Sequence, residues 1–114
     1  MPVNNSRLKG FFHLTVEERR KTIAEAANLT PEQAEALAAC GELSEDAADR
    51  MIENVIGTMS LPVGVATNFV IDDSHYIIPF CLEESSVVAA ASNMAKRCLK
   101  TGGFRTNNDQ PVMI

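Results

Sequence analysis

Apolar and polar positions along this chain follow two different periods, and the change falls near its middle. The first half reads as short helices opened by capping signals. Thr15-Val16-Glu17-Glu18 is a capping box, a hydroxyl for orphan N–H groups with a Glu three residues on, and it predicts a helix to about Asn28. Thr30-Pro31-Glu32-Gln33 repeats the signal with Pro at the first helical position, and predicts a helix that stops near Cys40-Gly41. Ser44 caps a third, Glu45 to about Glu53. From Val63 to Ile71 β-branched residues take over, Asp72-Asp73-Ser74 is turn chemistry, and His75 to Leu82 is a second β-like run, so the two runs read as a hairpin. Strict alternation puts Val63, Val65, Phe69 and Ile71 on one face and Ala66 and Val70 on the other. A sheet apolar on both faces is expected to be covered on both, by helices of this chain or by another subunit. The last element is a helix from about Ser86 to Lys100. Val87, Ala91, Met94, Ala95 and Cys98 form its apolar stripe, with Asn93, Lys96, Arg97 and Lys100 opposite. Thr101-Gly102-Gly103 ends it, and the tail stops on an apolar run, as expected of a chain cut inside a longer protein.

Composition narrows the class without adding chemistry. The 114 residues (12.4 kDa, 46% hydrophobic) suffice for one modest core. A net charge of -5, with the ten Lys and Arg scattered, does not suit nucleic acid or an anionic membrane surface. The three cysteines, Cys40, Cys81 and Cys98, are odd in number and lack metal spacing, which argues for no metal, no disulfide framework and a reduced, cytoplasmic compartment. No apolar run approaches the ~20 residues of a membrane span, and the opening MPVNNSRLKG lacks a signal-peptide core.

Two blocks stand out. Glu53-Asn54-Val55-Ile56-Gly57-Thr58 reads on physics alone as a helix stop and turn. In Phe80-Cys81-Leu82-Glu83-Glu84-Ser85-Ser86 a strand ends in two carboxylates and runs straight into a helix, and the plain reading is acids favoured by the helix dipole. Alternation would point Glu83 and Glu84 to opposite faces, with Glu84 on the side of Tyr76, Ile78, Phe80 and Leu82. There partial desolvation would raise its pKa toward that of a proton donor, while the helix N-terminus would stabilise the anion. The small residues Ala89 to Ser92 allow a backbone or a flat ligand close to the helix, or simply tight helix packing.

Taken in order, SRLKGF, ENVIGT, LPVGVATNF, IPFCLEESSVVAAASNMAK and GGF resemble the N-terminal region of bacterial-type (class II) hydroxymethylglutaryl-CoA (HMG-CoA) reductases, over about Ser6 to Ile114. The resemblance implies an α+β fold of three short N-terminal helices, a β-hairpin and one longer amphipathic helix. Residues 1–114 would be the N-terminal segment of the large substrate-binding and dimerisation domain, without the nucleotide-binding domain. It implies reduction of HMG-CoA to mevalonate and coenzyme A, or the reverse, with two molecules of NADH or NADPH bound by that missing domain. By motif match Glu84 is the catalytic carboxylate and Ser86 lies beside the substrate; Glu53 and Asn54 lie near the active site at a subunit interface, which implies a homo-oligomer. Many members have Pro where this chain has Ser85, and Ser85 is expected to cap the helix instead. The family's catalytic Lys, Asp and His have no counterpart here; His13 and His75 match none of them, and His75, beside the turn, is expected at the surface. The chain alone is therefore expected to be inactive. The alternative is a non-catalytic acyl-CoA-binding or oligomerisation module.

Overall fold

In the computed structural model, which describes residues 1–39 and 43–107, each N-terminal helix starts at its expected hydroxyl. Helix α1 (Val16–Ala26) opens with the Thr15 hydroxyl accepting from the Glu18 N–H, while the Glu18 carboxylate accepts from the Thr15 N–H at 2.7 Å. That backbone bond first, and then the Thr15 hydroxyl donating to the same carboxylate at 2.9 Å, hold the Glu18 carboxyl below its usual range. The helix ends at left-handed Asn28. Helix α2 (Pro31–Ala38) has the same reciprocal cap between Thr30 and Gln33; its expected stop at Cys40-Gly41 lies outside the described residues. Helix α3 spans only Glu45–Asp49, capped by Ser44, and does not reach Glu53. The next turn carries Met51 and Ile52, 69% and 64% exposed, and a short helix gaining so little burial does not propagate.

Three antiparallel strands follow the order β1-β3-β2. Strand β1 is Pro2–Val3, β2 is Val63–Ile71 and β3 is Ser74–Cys81. The hairpin is as expected, closed by the Ile71–Ser74 pair around Asp72 and Asp73. Both turn residues have positive φ, the hand that matches the twist of the flanking strands. Strand β1 gives no signal in the sequence, since two residues carry no period.

The alternation is corrected by a bulge. Val63 to Ala66 pair with Cys81 to Ile78, but Phe69 pairs with Tyr76, so Thr67 and Asn68 together oppose Ile77. Asn68 is left-handed (φ 69), the conformation an extra residue requires. Parity flips at that point. Phe69 and Ile71 join Ala66 and Gly64 on one face, while Val70 joins Val63 and Val65 on the other.

Helix α4 (Val87–Cys98) lies across β2, with Val88 over Gly64, where a Cβ would sit 3.4 Å from its Cγ2. The inward face of α4 carries Val88, Ser92 and fully buried Ala95. Met94, expected in the stripe, is 53% exposed. After a 3-10 turn, Leu99–Thr101, left-handed Gly102 and Gly103 return the chain to β2, where the Phe104 N–H donates to Val70 O and Phe104 O accepts from the Asp72 N–H. The ring of Phe104 stacks on Phe69 at 5.5 Å. A Cβ on Gly103 would collide with Val70 O, and its φ is +87. Gly103→Ala is therefore expected to destabilise the fold by about 1–3 kcal/mol or more, checked by urea unfolding.

The return is latched at the turn. Arg105 pairs bidentately with Asp73 at 2.6 and 2.7 Å, and Thr106 donates through its N–H and hydroxyl to Asp72. Both acids are held below their usual range, Asp72 first by the Thr106 hydroxyl and Asp73 first by the Arg105 side chain. A depressed folded pKa stabilises above the unfolded value and is lost as pH falls through the folded one. The Thr106 amide resonance is accordingly expected to hold steady through the ordinary aspartate range and to move toward its free position only below it, in an NMR pH titration. The Arg105–Asp73 pair is itself exposed and contributes little.

The core is small. Ile23, Ala48, Ala66, Ile77 and Ala95 are the buried apolar residues among those described. The chain exposes 9220 Å², against about 6,100 Å² for a compact monomer of its mass. Its radius of gyration is 16.9 Å, against about 13 Å for a compact domain of its length.

Candidate functional site

The acid pair lies past the end of β3, so the pleat does not aim it. Strand pairing stops at Cys81, and residues 82–86 form an irregular link to α4, anchored by the Leu82 N–H on Pro62 O at 3.2 Å. Opposite facing of Glu83 and Glu84 therefore does not follow from alternation. Both are exposed, as are Ser85 and Ser86, and the expected desolvation of Glu84 is not provided by its surroundings in this chain.

The residue at the N-cap of α4 is Ser86, not Ser85. Ser86 is left-handed (φ 73) rather than extended, its carbonyl accepts from the Ala90 N–H at 2.7 Å, and its side chain makes no capping bond. A left-handed serine costs about 1–2 kcal/mol, and forgoing a cap about another 1 kcal/mol. The first N–H groups of α4 are thus left without a side-chain acceptor, with Glu84 just ahead of them. A carboxylate in this position can exchange a proton with a ligand group held against the helix end.

Among the described residues no hydrogen bond or ion pair joins Glu53 or Asn54 to Glu84 or Ser86. Asn54 is left-handed (φ 56) at the turn that follows α3, and Glu53 is exposed beside it. The segment around them flanks an open apolar hollow of about 950 Å³, lined by Leu43, Met51, Ile52, Val55, Met59 and Leu61 among others. Ile56 and Met59 are 104% and 86% exposed. Exposed apolar side chains grouped in this way are a feature of surfaces that become covered.

Sequence reasoning missed the residues that tie the site to the sheet. At the bulge, two N–H groups leave the hairpin ladder. The Thr67 N–H donates to the Ser92 hydroxyl at 3.1 Å, and the Asn68 N–H to Ser6 O at 2.9 Å. Ser92 Oγ donates in turn to Val88 O, and the Asn68 side-chain amide donates to Ser92 O at 3.2 Å. Ser6 is fully buried, its hydroxyl donating to Phe69 O, with His75 Nδ1 2.9 Å away. His75 is correspondingly half-buried rather than a free surface residue. The one sequence signal was Asn68 within a β-branched run, a residue that tolerates positive φ.

A nicotinamide dinucleotide is implied by the resemblance, and the residues present do not fit its pyrophosphate. The link into α4 contains no glycine, and Glu83 and Glu84 put negative charge beside that helix end, which a pyrophosphate would disfavour. Among the described residues there is no cluster of His, Cys, Asp or Glu placed to hold a metal ion, and no helix is long and apolar enough to cross a membrane.

Fold and site together define an α+β segment that carries an exposed acid pair ahead of a helix and an exposed apolar segment beside a hollow. The family model for hydroxymethylglutaryl-coenzyme A reductase matches residues 15–114, and the chain belongs to this family. It is 54% identical over 110 residues to the 3-hydroxy-3-methylglutaryl-coenzyme A reductase of Archaeoglobus fulgidus, covering 96% of this chain and 25% of that protein. It is 36% identical over 97 residues to a probable reductase of Borreliella burgdorferi, of which it covers 21%. A solved 3-hydroxy-3-methylglutaryl-coenzyme A reductase of Streptococcus pneumoniae superimposes with a TM-score of 0.82 at 36% identity, covering 90% of this chain and 24% of that one. The class II reductase of the same organism bound to NADPH gives 0.78, covering 85% and 26%. The α+β reading therefore holds, and the chain spans about a quarter of the length of these relatives.

Proposed function

We propose that this chain forms the substrate-side portion of an HMG-CoA reductase, and that Glu84 is the carboxylate that moves a proton at the substrate carbonyl. The observation that carries the reading is the exposed Glu84 immediately before the uncapped N-terminus of α4, inside the segment matched by the family. Ser86 flanks the substrate at that helix end. Glu53 and Asn54 reach the site from a subunit interface. The reaction converts HMG-CoA to mevalonate and coenzyme A, or the reverse, in the cytoplasm. The reduced dinucleotide, NADH or NADPH, supplies hydride and is held outside residues 1–114, in a separate nucleotide-binding domain, while these residues belong to the large substrate-binding and dimerisation domain.

Two consequences can be measured. Residues 1–114 alone are expected to show no HMG-CoA-dependent change in nicotinamide absorbance, because catalytic groups that act as a unit lose nearly everything when one is missing. Steady oxidation by a preparation of confirmed intact mass would overturn this division of labour. The chain is also expected to associate with itself. The exposed apolar side chains of the segment after α3, Ile56 and Met59 above all, are the surface expected to make that contact. Light scattering showing a clean 12.4 kDa monomer at high concentration would count against self-association.

A further inference from the structure

We infer that Ser92, gripping the β2 bulge, is a positioning residue for Glu84. The inference rests on the reading of Glu84 as the catalytic carboxylate and adds a residue to it. The bulge makes two N–H groups available on β2 that β3 does not take up, and the Thr67 N–H goes to α4 through one side chain. The Ser92 hydroxyl is engaged there as both acceptor and donor, accepting from Thr67 at 3.1 Å and donating to Val88 O at 2.9 Å. Asn68, whose φ of 69 makes it the extra residue, adds its side-chain amide to Ser92 O.

The clamp fixes α4 both along β2 and about its own axis. At the first turn of α4 apolar contact adds little to this, because Val88 rests on Gly64, which has no side chain to interlock with it. Helix α4 is continuous from Val87 to Cys98, so a shift at Ser92 is carried to its first turn and to the link that holds Glu84. Among the described residues that link is tied to the sheet by Leu82 on Pro62 and to α4 by the Ser86 carbonyl on Ala90, so it follows the helix. The bulge is held from the other side by Ser6 O on the Asn68 N–H, so the clamp bears on a fixed point.

The test uses the enzyme expressed from the complete reading frame. Ser92→Ala is expected to lower kcat by about ten- to a hundredfold, the cost of a misplacement near one ångström, with KM for the acyl thioester little changed. Ser92→Thr keeps the hydroxyl and is expected to restore most of the rate. In a Glu84→Gln background Ser92→Ala is expected to add almost nothing, because it acts through Glu84. A Glu84→Gln enzyme that is impaired while Ser92→Ala runs at the wild-type rate overturns the clamp and leaves Glu84 standing. The clamp also falls if Ser92→Ala costs as much in the Glu84→Gln enzyme as in the wild type, or if Ser92→Thr fails to rescue a folded protein. A wild-type rate in Glu84→Gln alone overturns the Glu84 reading itself.

Discussion

Glu84→Gln in the complete enzyme is expected to lower the turnover rate by about 10²–10⁴-fold with little change in substrate affinity, the usual worth of a positioned proton-transfer group. Glutamine keeps the shape and the hydrogen-bonding reach but carries no ionisable proton. Glu83→Gln is expected to cost far less. The two side chains are chemically identical neighbours and both are exposed, so local chemistry alone would make them equivalent. The motif resemblance separates them, because it implies the proton-transfer role for the second member of the pair, and that proposal is what the two variants test. Steady-state kinetics of both variants decide the matter, and equal losses would remove Glu84 from its role.

Ile77→Ala is expected to give the largest loss of stability, about 2–5 kcal/mol, against about 0.5–1.5 kcal/mol for Ile77→Val. Ile77 is the bulkiest side chain with no exposed surface, and it sits on β3 opposite the bulge. Its N–H and carbonyl are both bonded to Met1, so the strand cannot easily slide to close the cavity. Most proteins of this size carry a margin of only about 5–15 kcal/mol. The core here is otherwise mainly alanine, so truncation is expected to remove much of that margin. Urea midpoints at constant slope are the measurement; a loss as small as that of the valine variant would mean that the hairpin is not the centre of the fold.

Legibility in the sequence divided along the range of the forces involved. The starts of α1, α2 and α3 were readable because a cap is a bond between residues three apart, as Thr15–Glu18 and Thr30–Gln33 show. The hairpin was readable for the same reason, its turn being two adjacent aspartates. Lengths were less so. Helix α3 stops at Asp49, and Met51 and Ile52 beyond it are largely exposed, so little burial rewards another turn, which the sequence pattern does not reveal. Met94 fits the apolar stripe of α4 by spacing, yet it is exposed because the helix seats on β2 through Val88, Ser92 and Ala95.

For the site, the sequence by itself determined the chemistry present: two carboxylates between a strand and a helix, serines after them, and an order of motifs that places the chain in its family. Only the tertiary structure decided how that chemistry is held. One extra residue at Thr67-Asn68 reversed the facing of Phe69, Val70 and Ile71, because side chains in a strand alternate and a single insertion shifts every later one. The same insertion turned two backbone N–H groups away from the ladder, and buried N–H groups must find acceptors wherever the chain brings them. The acceptors are Ser6 and Ser92, 62 residues before and 25 residues after the groups they satisfy. Pairings over such separations come from packing, which no local period encodes.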